Sequence, residues 1–379
     1  KKLQATSYKL QVLTYSEALG NLTKKYFTIA VAGTHGKSTT TAMISLILIK
    51  AGLDPTVIVG AKLKEFGDSN FRMGIQYSIS KIQRPILVIE SCEHEKAFLD
   101  YWPKIIVITN IEKEHLDYYK NLRNILTAFK KFISHLPKKG FLVAGKNDGN
   151  IQKILGRGAQ FKIQKFSLSQ KKDAKKLKKI LKIPGGHNIQ NALAALAVAR
   201  ILEVPDKDSF KALAGYRGIW RRFEIFHKFL NAKRYTLVFD YSHHPTEIKS
   251  TLQAAREKFK TRRIILVFQP HQYERTKLFF DDFAKCFDEA DSLILNEIYG
   301  VAGREKEKEI SSGNMAVVIR ERWQKLKYKN KNVIFIKNQK SIFKKLSEII
   351  KRDDVVIVMG AGDIYNLTVD LTKTNENIK

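Results

Sequence analysis

A strand, a turn with two glycines and a lysine–serine pair follow one another near the start of the sequence. The apolar run 27–32 is typical of a buried strand, and apolar residues in 38–50 recur at helical spacing. Between them lies Gly33-Thr-His-Gly-Lys-Ser38, and only glycine lets main-chain N–H groups crowd around a phosphate. Lys37 would contact terminal phosphates and the Ser38 hydroxyl would bind Mg²⁺. The pattern predicts a phosphate-binding loop, although the usual first glycine is absent.

Polar side chains with suitable chemistry also follow other apolar runs of the first half. Glu90 ends the strand 86–89, where a carboxylate could provide a second contact to Mg²⁺. His115 lies in a polar segment after the next strand, and neutral imidazole is a minority ligand for this ion. Asn188 and Asn191 are three residues apart and share one face of a helix start. The alternatives are a solvent-facing acid, a surface histidine and a helix-capping asparagine.

The second half contains three further polar segments. The pair Arg221-Arg222 offers forked donors that suit phosphoryl oxygens, although a charged pair at a linker is usually solvated. The segment 240–247, Asp-Tyr-Ser-His-His-Pro-Thr-Glu, follows a predicted strand. Its adjacent histidines leave zinc binding as an alternative, but neighbouring histidines rarely face one ion. The segment 268–276, Phe-Gln-Pro-His-Gln-Tyr-Glu-Arg-Thr, follows the next strand.

Together these segments resemble the motifs of the Mur ligase family, the ATP-dependent amide-forming ligases of peptidoglycan precursor synthesis. The phosphate loop, the Thr-Asn-Ile…His-Leu-Asp segment, the His-Asn-x-x-Asn-Ala helix start and Arg-Arg-Phe-Glu all match. The loop histidine and the Gln-Pro-His stretch are similar to the corresponding motifs of one branch of this family, the ligases that join L-alanine to UDP-N-acetylmuramate. The resemblance covers most of the chain and both of its halves.

The resemblance implies ATP and Mg²⁺ as cofactors, with UDP-N-acetylmuramate and L-alanine as substrates. The implied cofactor-binding residues are Gly33, Thr34, His35, Gly36, Lys37, Ser38, Thr39, Asn188, Asn191, Arg221, Arg222 and Asp240. The implied metal ligands are Ser38, Glu90 and His115. The implied substrate-facing residues are Tyr241, His243, His271 and Arg275. The implied catalytic residues are Lys37, Glu90, His115, His243 and Arg275.

The sequence predicts two successive series of alternating strands and helices, and these elements must position the residues named above. Short Ile- and Val-rich runs separated by helical stretches predict an α/β fold with buried, parallel-rich sheets. We expect a P-loop ATPase-like central domain at residues 26–219 and a Rossmann-like, doubly wound C-terminal domain at 220–379. Residues 1–25 would be a remnant or linker from a missing N-terminal domain. The predicted strands are 27–32, 56–59, 86–89, 105–109, 141–144, 236–240, 264–268, 292–295, 333–336 and 355–359. The predicted helices are 12–22, 38–51, 122–136, 187–202, 245–259, 277–287 and 339–350.

The composition excludes several classes of protein. Among 379 residues, 44% are hydrophobic and 28% charged, which is typical of a folded globular chain and not of a disordered one. No uncharged apolar run reaches the length of a membrane span, and the first residues lack the apolar core of a signal peptide. Cys92 and Cys286 are isolated, which favours a reducing, cytoplasmic location.

The formal net charge of +31 leaves other functions open. A P-loop ATPase that binds nucleic acid is one alternative, although the lysines are scattered and no aromatic-interleaved basic segment appears. Another is a murein tripeptide ligase, the recycling enzyme that acts on the same sugar nucleotide. A third is an inactive fragment. The sequence does not determine the oligomeric state.

Overall fold

The chain forms two compact units, each built around one mostly parallel sheet. The computed structural model describes residues 12–74, 84–156, 159–301 and 310–373. The first unit contains residues 1–181 and 188–216, and the second contains 182–187 and 217–379. These sheets confirm the predicted α/β class.

The first unit has a seven-stranded sheet in the order β3-β2-β4-β1-β5-β6-β7. Among the strands that the structure describes in this sheet, only β2 and β3 pair antiparallel. The strands are β1 Phe27–Ala32, β2 Thr56–Leu63, β3 Ser69–Arg72, β4 Ile86–Glu90, β5 Ile105–Ile108, β6 Phe141–Gly145 and β7 Lys162–Phe166. The helices are α1 Tyr15–Lys25, α2 Lys37–Lys50, α3 Leu116–Tyr119, α4 Leu122–Ile133, α5 Gly149–Ile154, α6 Lys171–Ile180, α7 Gly186–Ile201 and α8 Asp206–Gly215.

The central strand β1 determines where the functional loops of this unit meet. Ala30 is in register with Ile89 of β4 on one side and with Ile106 of β5 on the other, and all three are fully buried. Strands covered on both faces are nearly all apolar, as these are apart from Thr28 and Glu90. Because the three strands are parallel, the polar segments that follow them emerge at the same edge of the sheet.

The second unit has a six-stranded sheet in the order β12-β11-β10-β13-β9-β8. Within the described part of this unit, β8 and β9 form the one antiparallel pair of strands. The strands are β8 Glu224–Leu230, β9 Lys233–Asp240, β10 Ile264–Phe268, β11 Ser292–Leu295, β12 Asn332–Phe335 and β13 Val355–Met359. The helices are α9 Pro245–Phe259, α10 Tyr273–Leu278, α11 Phe280–Phe283, α12 Ser312–Lys325, α13 Gln339–Ile349 and α14 Tyr365–Lys373.

The sequence-based assignment misses the polar outer strands, several helices including α8, α12 and α14, and one helix break. Strands β3, β7 and β8 carry mixed polar side chains and each lies at the edge of its sheet, where the apolar pattern is weak. The predicted helix 277–287 is wrong, because α10 ends at Leu278 and α11 begins at Phe280. Phe279, at φ −105° and ψ 22°, interrupts the helical backbone there.

The segment preceding β1 packs within the first unit. Helix α1 begins with a capping box in which the Thr14 hydroxyl accepts from the N–H of Glu17 and the Glu17 carboxylate accepts from the N–H of Thr14. The Thr23 hydroxyl donates to the Gly20 carbonyl (2.6 Å) and accepts from the Trp102 N–H (3.0 Å). Across the described residues, every helix is too short or too polar to cross a lipid bilayer.

Replacing Phe283 with alanine should destabilise the second unit much more than the same change at Phe229. Phe283 is fully buried between sheet and helices, whereas Phe229 is 44% exposed on an edge strand. We expect Phe283→Ala to cost about 3–5 kcal/mol and Phe229→Ala less than about 1 kcal/mol. Denaturant unfolding followed by circular dichroism measures both values. Equal losses would contradict the assigned core.

Candidate active site

The turn between β1 and α2 has a backbone that requires glycine at two positions. Gly33 has φ 132° and Gly36 has φ 81°, both in the region that side chains rarely adopt. A Cβ atom on Gly33 would overlap the hydroxyl of Thr109, and one on Gly36 would overlap the carboxamide oxygen of Asn191. The glycines therefore provide both the turn and the close approach of these two neighbours.

Thr109 and Asn110, which follow β5, hold this turn in place. The Asn110 carboxamide accepts from the His35 N–H (2.9 Å) and donates to the His35 carbonyl (3.0 Å). The Thr109 hydroxyl donates to the same carbonyl (2.6 Å). The Asn110 carbonyl accepts from the Thr34 N–H at 3.0 Å. These four hydrogen bonds between protein groups therefore shape the loop.

Helix α2 begins in a way that suits an anion. Its N-cap position is Gly36, which offers no side-chain cap. Helices α1, α4 and α5 of the same unit are capped by the side chains of Thr14, Asn121 and Asp148, whereas α3, α6 and α8 lack a side-chain cap as α2 does. The first N–H groups of a helix have no partner inside the helix, and the helix dipole places partial positive charge there. An uncapped start next to a glycine turn therefore fits a phosphate.

The Lys37 ammonium folds back onto the loop and pairs with Glu93. It donates to the carbonyl oxygens of Gly33 (2.6 Å) and Thr34 (3.2 Å) and lies 3.0 Å from the nearer Glu93 carboxylate oxygen. Burial would lower the pKa of Lys37, but the neighbouring negative charges, Glu93 first among them, outweigh burial and raise this pKa. Burial raises the pKa of the Glu93 carboxyl, and the Lys37 charge opposes that shift.

Ser38 and Glu90 form a pair of oxygen ligands beside this ammonium. The Ser38 hydroxyl donates to one Glu90 carboxylate oxygen (2.9 Å), and the Gly60 N–H donates to the other (2.6 Å). Hydroxyl and carboxylate oxygens are the ligand types that Mg²⁺ prefers. The structure therefore brings together two of the three sequence-predicted metal ligands, in a donor set that fits this ion.

The other predicted residues of the first unit occupy different surroundings. Asn191 is buried and its carboxamide lies against Gly36, so it contacts the phosphate loop directly. Asn188 is buried one turn earlier in α7, and Thr39 is buried in the first turn of α2. The His115 ring packs at 4.6 Å from the ring of His94, a residue that the sequence analysis did not select.

In the second unit, Asp240 organises the turn at the end of β9. Its carboxylate accepts from the N–H of Phe223 (2.9 Å) and the N–H of Ser242 (2.8 Å), and also from the Ser242 hydroxyl. Burial raises the pKa of this carboxyl, while the charge of Arg222 opposes the rise. Asp240 therefore joins the Arg-Arg-Phe-Glu segment to the loop that carries the predicted histidines.

The two arginines of this segment have different environments. The Arg221 guanidinium lies over the rings of Trp220 (4.1 Å) and Tyr365 (4.0 Å), in a cation–π arrangement. The Arg222 guanidinium donates to the Glu247 carboxylate (3.2 Å) and lies 5.4 Å from the Tyr241 ring. Arg222 thus contacts the polar loop after β9, and Arg221 contacts the aromatic side of α14.

His243 and His271 approach each other at the ends of β9 and β10. Their ring centroids are 6.1 Å apart. The Arg275 guanidinium lies 3.1 Å from the Nδ1 atom of His271. Because a guanidinium can only donate, Nδ1 accepts and the neutral ring carries its proton on Nε2. The His271 ring also stacks on Tyr299, with centroids 5.6 Å apart and planes within 11°.

Sequence reasoning did not select several residues that contact the predicted ones. Glu93 follows Glu90 by three residues, a spacing that could have indicated a second carboxylate at the loop. Glu247, at the end of the His-His-Pro-Thr-Glu motif, pairs with Arg222 and lies 3.6 Å from His243. Nothing in the local pattern indicated Tyr299, because its contact with His271 joins the loops after two different strands.

Comparison with known proteins gives a consistent result for both units. Residues 31–199 match the Mur ligase middle domain, and residues 221–362 match the Mur ligase glutamate ligase domain. The chain is 38% identical to a UDP-N-acetylmuramate–L-alanine ligase from Caldanaerobacter subterraneus, over 98% of this chain and 81% of that protein. It is also 38% identical to the ligase of the same name from Acetivibrio thermocellus, over 96% of this chain and 78% of that one.

Solved structures show the same relationship. The UDP-N-acetylmuramate–alanine ligase from Thermotoga maritima superimposes with a TM-score of 0.71 at 26% identity, covering 96% of this chain and 79% of its own. A murein peptide ligase from Psychrobacter arcticus shares the fold, with a TM-score of 0.67 at 23% identity over 96% of this chain and 80% of its own. With 38% identity to curated members over nearly its whole length, the chain belongs to the Mur ligase family.

Proposed function

We propose that this protein is an ATP-dependent ligase that joins L-alanine to UDP-N-acetylmuramate in peptidoglycan precursor synthesis. The observation that carries the proposal is the preformed phosphate loop, in which Lys37, Ser38 and Glu90 converge at the uncapped start of α2. The family is ATP-dependent, and the relatives that match nearly the whole chain bear this ligase's name. The free thiols of Cys92 and Cys286 are compatible with the cytoplasmic location we expect.

The chemistry of amide formation explains the need for such a loop. A carboxylate does not react with an amine at neutral pH, because its oxygen is a poor leaving group. Transfer of the γ-phosphoryl group of ATP to the carboxylate of the sugar nucleotide gives an acyl phosphate. The amine of L-alanine then attacks the acyl carbon, and inorganic phosphate departs with both electrons of the C–O bond. Lys37 and the N–H groups of α2 would stabilise the charge on the transferring phosphoryl group.

We assign the metal site to the first unit. Ser38 and Glu90 would hold Mg²⁺, and His115 remains a proposed further ligand. When bound, this ion neutralises phosphate charge and orients the reacting group. Gly60 contributes by donating its N–H to Glu90, which fixes the direction of the carboxylate.

The second unit would bind and orient the acyl substrate. Arg222, held by Glu247, is a proposed contact for phosphoryl oxygens, and Arg221 would stabilise its own segment through its two aromatic neighbours. His271 presents an N–H at Nε2, a donor suited to a carboxylate or phosphoryl oxygen. Tyr241, His243 and Arg275 surround this position as further proposed substrate contacts.

The proposal predicts that the protein forms UDP-N-acetylmuramoyl-L-alanine. Incubation with ATP, Mg²⁺, UDP-N-acetylmuramate and L-alanine should release one phosphate for each product molecule detected by mass spectrometry. The L-Ala-γ-D-Glu-diaminopimelate tripeptide should replace L-alanine poorly, and added RNA or DNA should not stimulate phosphate release. Preference for the tripeptide would favour the recycling ligase. Hydrolysis that requires nucleic acid, without amide formation, would contradict the proposal.

Removing the Lys37 ammonium should abolish phosphate release. We expect Lys37→Met to lower the rate by at least about 100-fold, because one preorganised charge at the transferring group is lost. Lys50→Ala, at the exposed far end of the same helix, is the control and should leave the rate unchanged. The double variant Lys37→Met, Glu93→Gln removes both charges and so avoids an unpaired buried carboxylate. Near-normal turnover in either Lys37 variant would refute the loop assignment.

Replacing Glu90 with glutamine should raise the Mg²⁺ concentration that the reaction requires. The neutral amide is a weaker ligand for a hard cation, so we expect half-saturation to shift upward by about tenfold or more. Titration of phosphate release with MgCl₂ measures the shift. Glu95→Gln changes a nearby exposed carboxylate and serves as control. An identical Mg²⁺ dependence in wild type and Glu90→Gln would place the metal elsewhere.

A further inference from the structure

We propose that Gln269 is a positioning residue for the substrate-facing His271, acting through a buried hydrogen-bond network at the carboxyl ends of the second unit's strands. The inference rests on the proposed function, because it concerns how His271 meets the substrate. Gln269 immediately follows β10 and is only 4% exposed. We name this group of contacts the Gln269 network; its members are Gln269, Asn296, Asp363 and Ile364.

The side-chain amide of Gln269 uses both of its donors and its acceptor. Its Nε2 atom donates to the Asn296 carboxamide oxygen (3.0 Å) and to the Asp363 carboxylate (2.8 Å). Its Oε1 atom accepts from the N–H of Ile364 (3.1 Å). Asn296 follows β11, and Asp363 and Ile364 follow β13, so one side chain joins the ends of three neighbouring strands.

Asn296 extends the network to a fourth strand. It is 1% exposed, and its Nδ2 atom donates to the carbonyl oxygens of Ile336 (2.9 Å) and Lys337 (2.9 Å), which follow β12. The carboxyl ends of β10, β11, β12 and β13 are therefore fixed to one another by side-chain amides. Buried polar groups of this kind are costly unless they are satisfied, and when satisfied they specify a single arrangement.

The segment that follows Gln269 carries the predicted substrate contact. The Pro270 carbonyl accepts from the Tyr299 N–H (2.8 Å), and the Gln272 N–H donates to the Tyr299 carbonyl (2.9 Å). His271 lies between these two bonds, with its ring stacked on the Tyr299 ring. Gln269 and Asn296 thus anchor the two loops whose pairing determines where His271 lies.

Glycines after β13 allow this close arrangement. A Cβ atom on Gly362 would lie 2.5 Å from the Gln269 carboxamide oxygen and 2.5 Å from the Tyr299 ring. A Cβ atom on Gly360, where φ is 151°, would lie 2.9 Å from the Gln269 carbonyl oxygen. The Gly-Ala-Gly segment therefore packs directly under both Gln269 and Tyr299.

The Gln269 network predicts that loss of Gln269 impairs the reaction of the substrate and leaves nucleotide binding unchanged. Gln269 does not itself contact the reacting groups in this account, so its loss should act through the placement of His271. Misplacement of a substrate contact by about 1 Å can lower catalysis about 100-fold. Nucleotide binding at the phosphate loop of the first unit should be unaffected, because no member of the network belongs to that unit.

The test compares Gln269→Leu with Gln253→Leu, the same change at an exposed position of α9. Gln269→Leu removes all three hydrogen bonds at similar volume. We expect kcat/KM for UDP-N-acetylmuramate to fall about 10- to 100-fold, with an ADP dissociation constant within about twofold of wild type. Gln253→Leu should change neither quantity.

Two further variants separate positioning from general loss of structure. Gln269→Glu keeps the acceptor for Ile364 but sets a carboxylate oxygen against both Asp363 and the Asn296 carboxamide oxygen, so it should be impaired. Adding Asp363→Asn restores a donor on one of these two sides and should recover part of the lost kcat/KM. A purely structural role predicts that ADP binding, kcat and the unfolding midpoint all decline together.

An NMR measurement tests the placement of His271 without any turnover. Stacking on Tyr299 should shift the His271 ring protons upfield, and their signals can be assigned by comparison with His271→Ala. Gln269→Leu should abolish this upfield shift, whereas Gln253→Leu should retain it. An unchanged His271 signal in a folded Gln269→Leu protein overturns the inference, even if the ligase assay succeeds. Conversely, a lost shift supports the inference even if wild-type protein forms no amide, an outcome that would reject only the proposed function.

Discussion

A mostly buried ammonium held by main-chain carbonyls is the interaction on which the candidate site depends. An isolated charge at this depth would be expensive, and Lys37 avoids that cost through Gly33, Thr34 and Glu93. The site thus carries its own counterion. A phosphate that enters the loop would compete with these groups for the Lys37 ammonium.

Both units gather their polar side chains where parallel strands end. In the first unit, the loops after β1, β4 and β5 supply the phosphate turn, Glu90 and Thr109. In the second, the ends of β9 and β10 supply Asp240 and the His271 segment. The closely packed strands form a rigid framework, and the loops at their carboxyl ends carry the candidate functional side chains. Each unit uses a side-chain amide, Asn110 in one and Gln269 in the other, to fix these loops in addition to their main-chain hydrogen bonds.

The sequence predicted those parts of the molecule that depend on local chemistry. The glycine turn, the lysine and the following helix could be recognised because a phosphate loop restricts residue types at consecutive positions. The buried strands could be recognised because burial on both faces requires continuous apolar runs. The edge strands β3, β7 and β8 lacked that requirement. The break at Phe279 also escaped prediction, since two short helices and one long helix share the same apolar spacing.

The contacts between distant segments could not be predicted in the same way. Glu93 pairs with Lys37 across 56 positions of the chain, and Gln269 meets Asp363 across 94. Such partners are chosen by the fold, and their residue types are common enough to occur anywhere. Family resemblance located the positions of His115, His271 and Arg275, and their proposed roles remain to be tested.

A crystal structure with Mg²⁺ and a non-hydrolysable ATP analogue tests the central claim most directly. The account predicts the γ-phosphate at the start of α2, with a phosphate oxygen about 3 Å from the Lys37 ammonium and the metal between Ser38 and Glu90. A nucleotide bound away from this loop, with Lys37 still held by Glu93 and the two carbonyls, would contradict it.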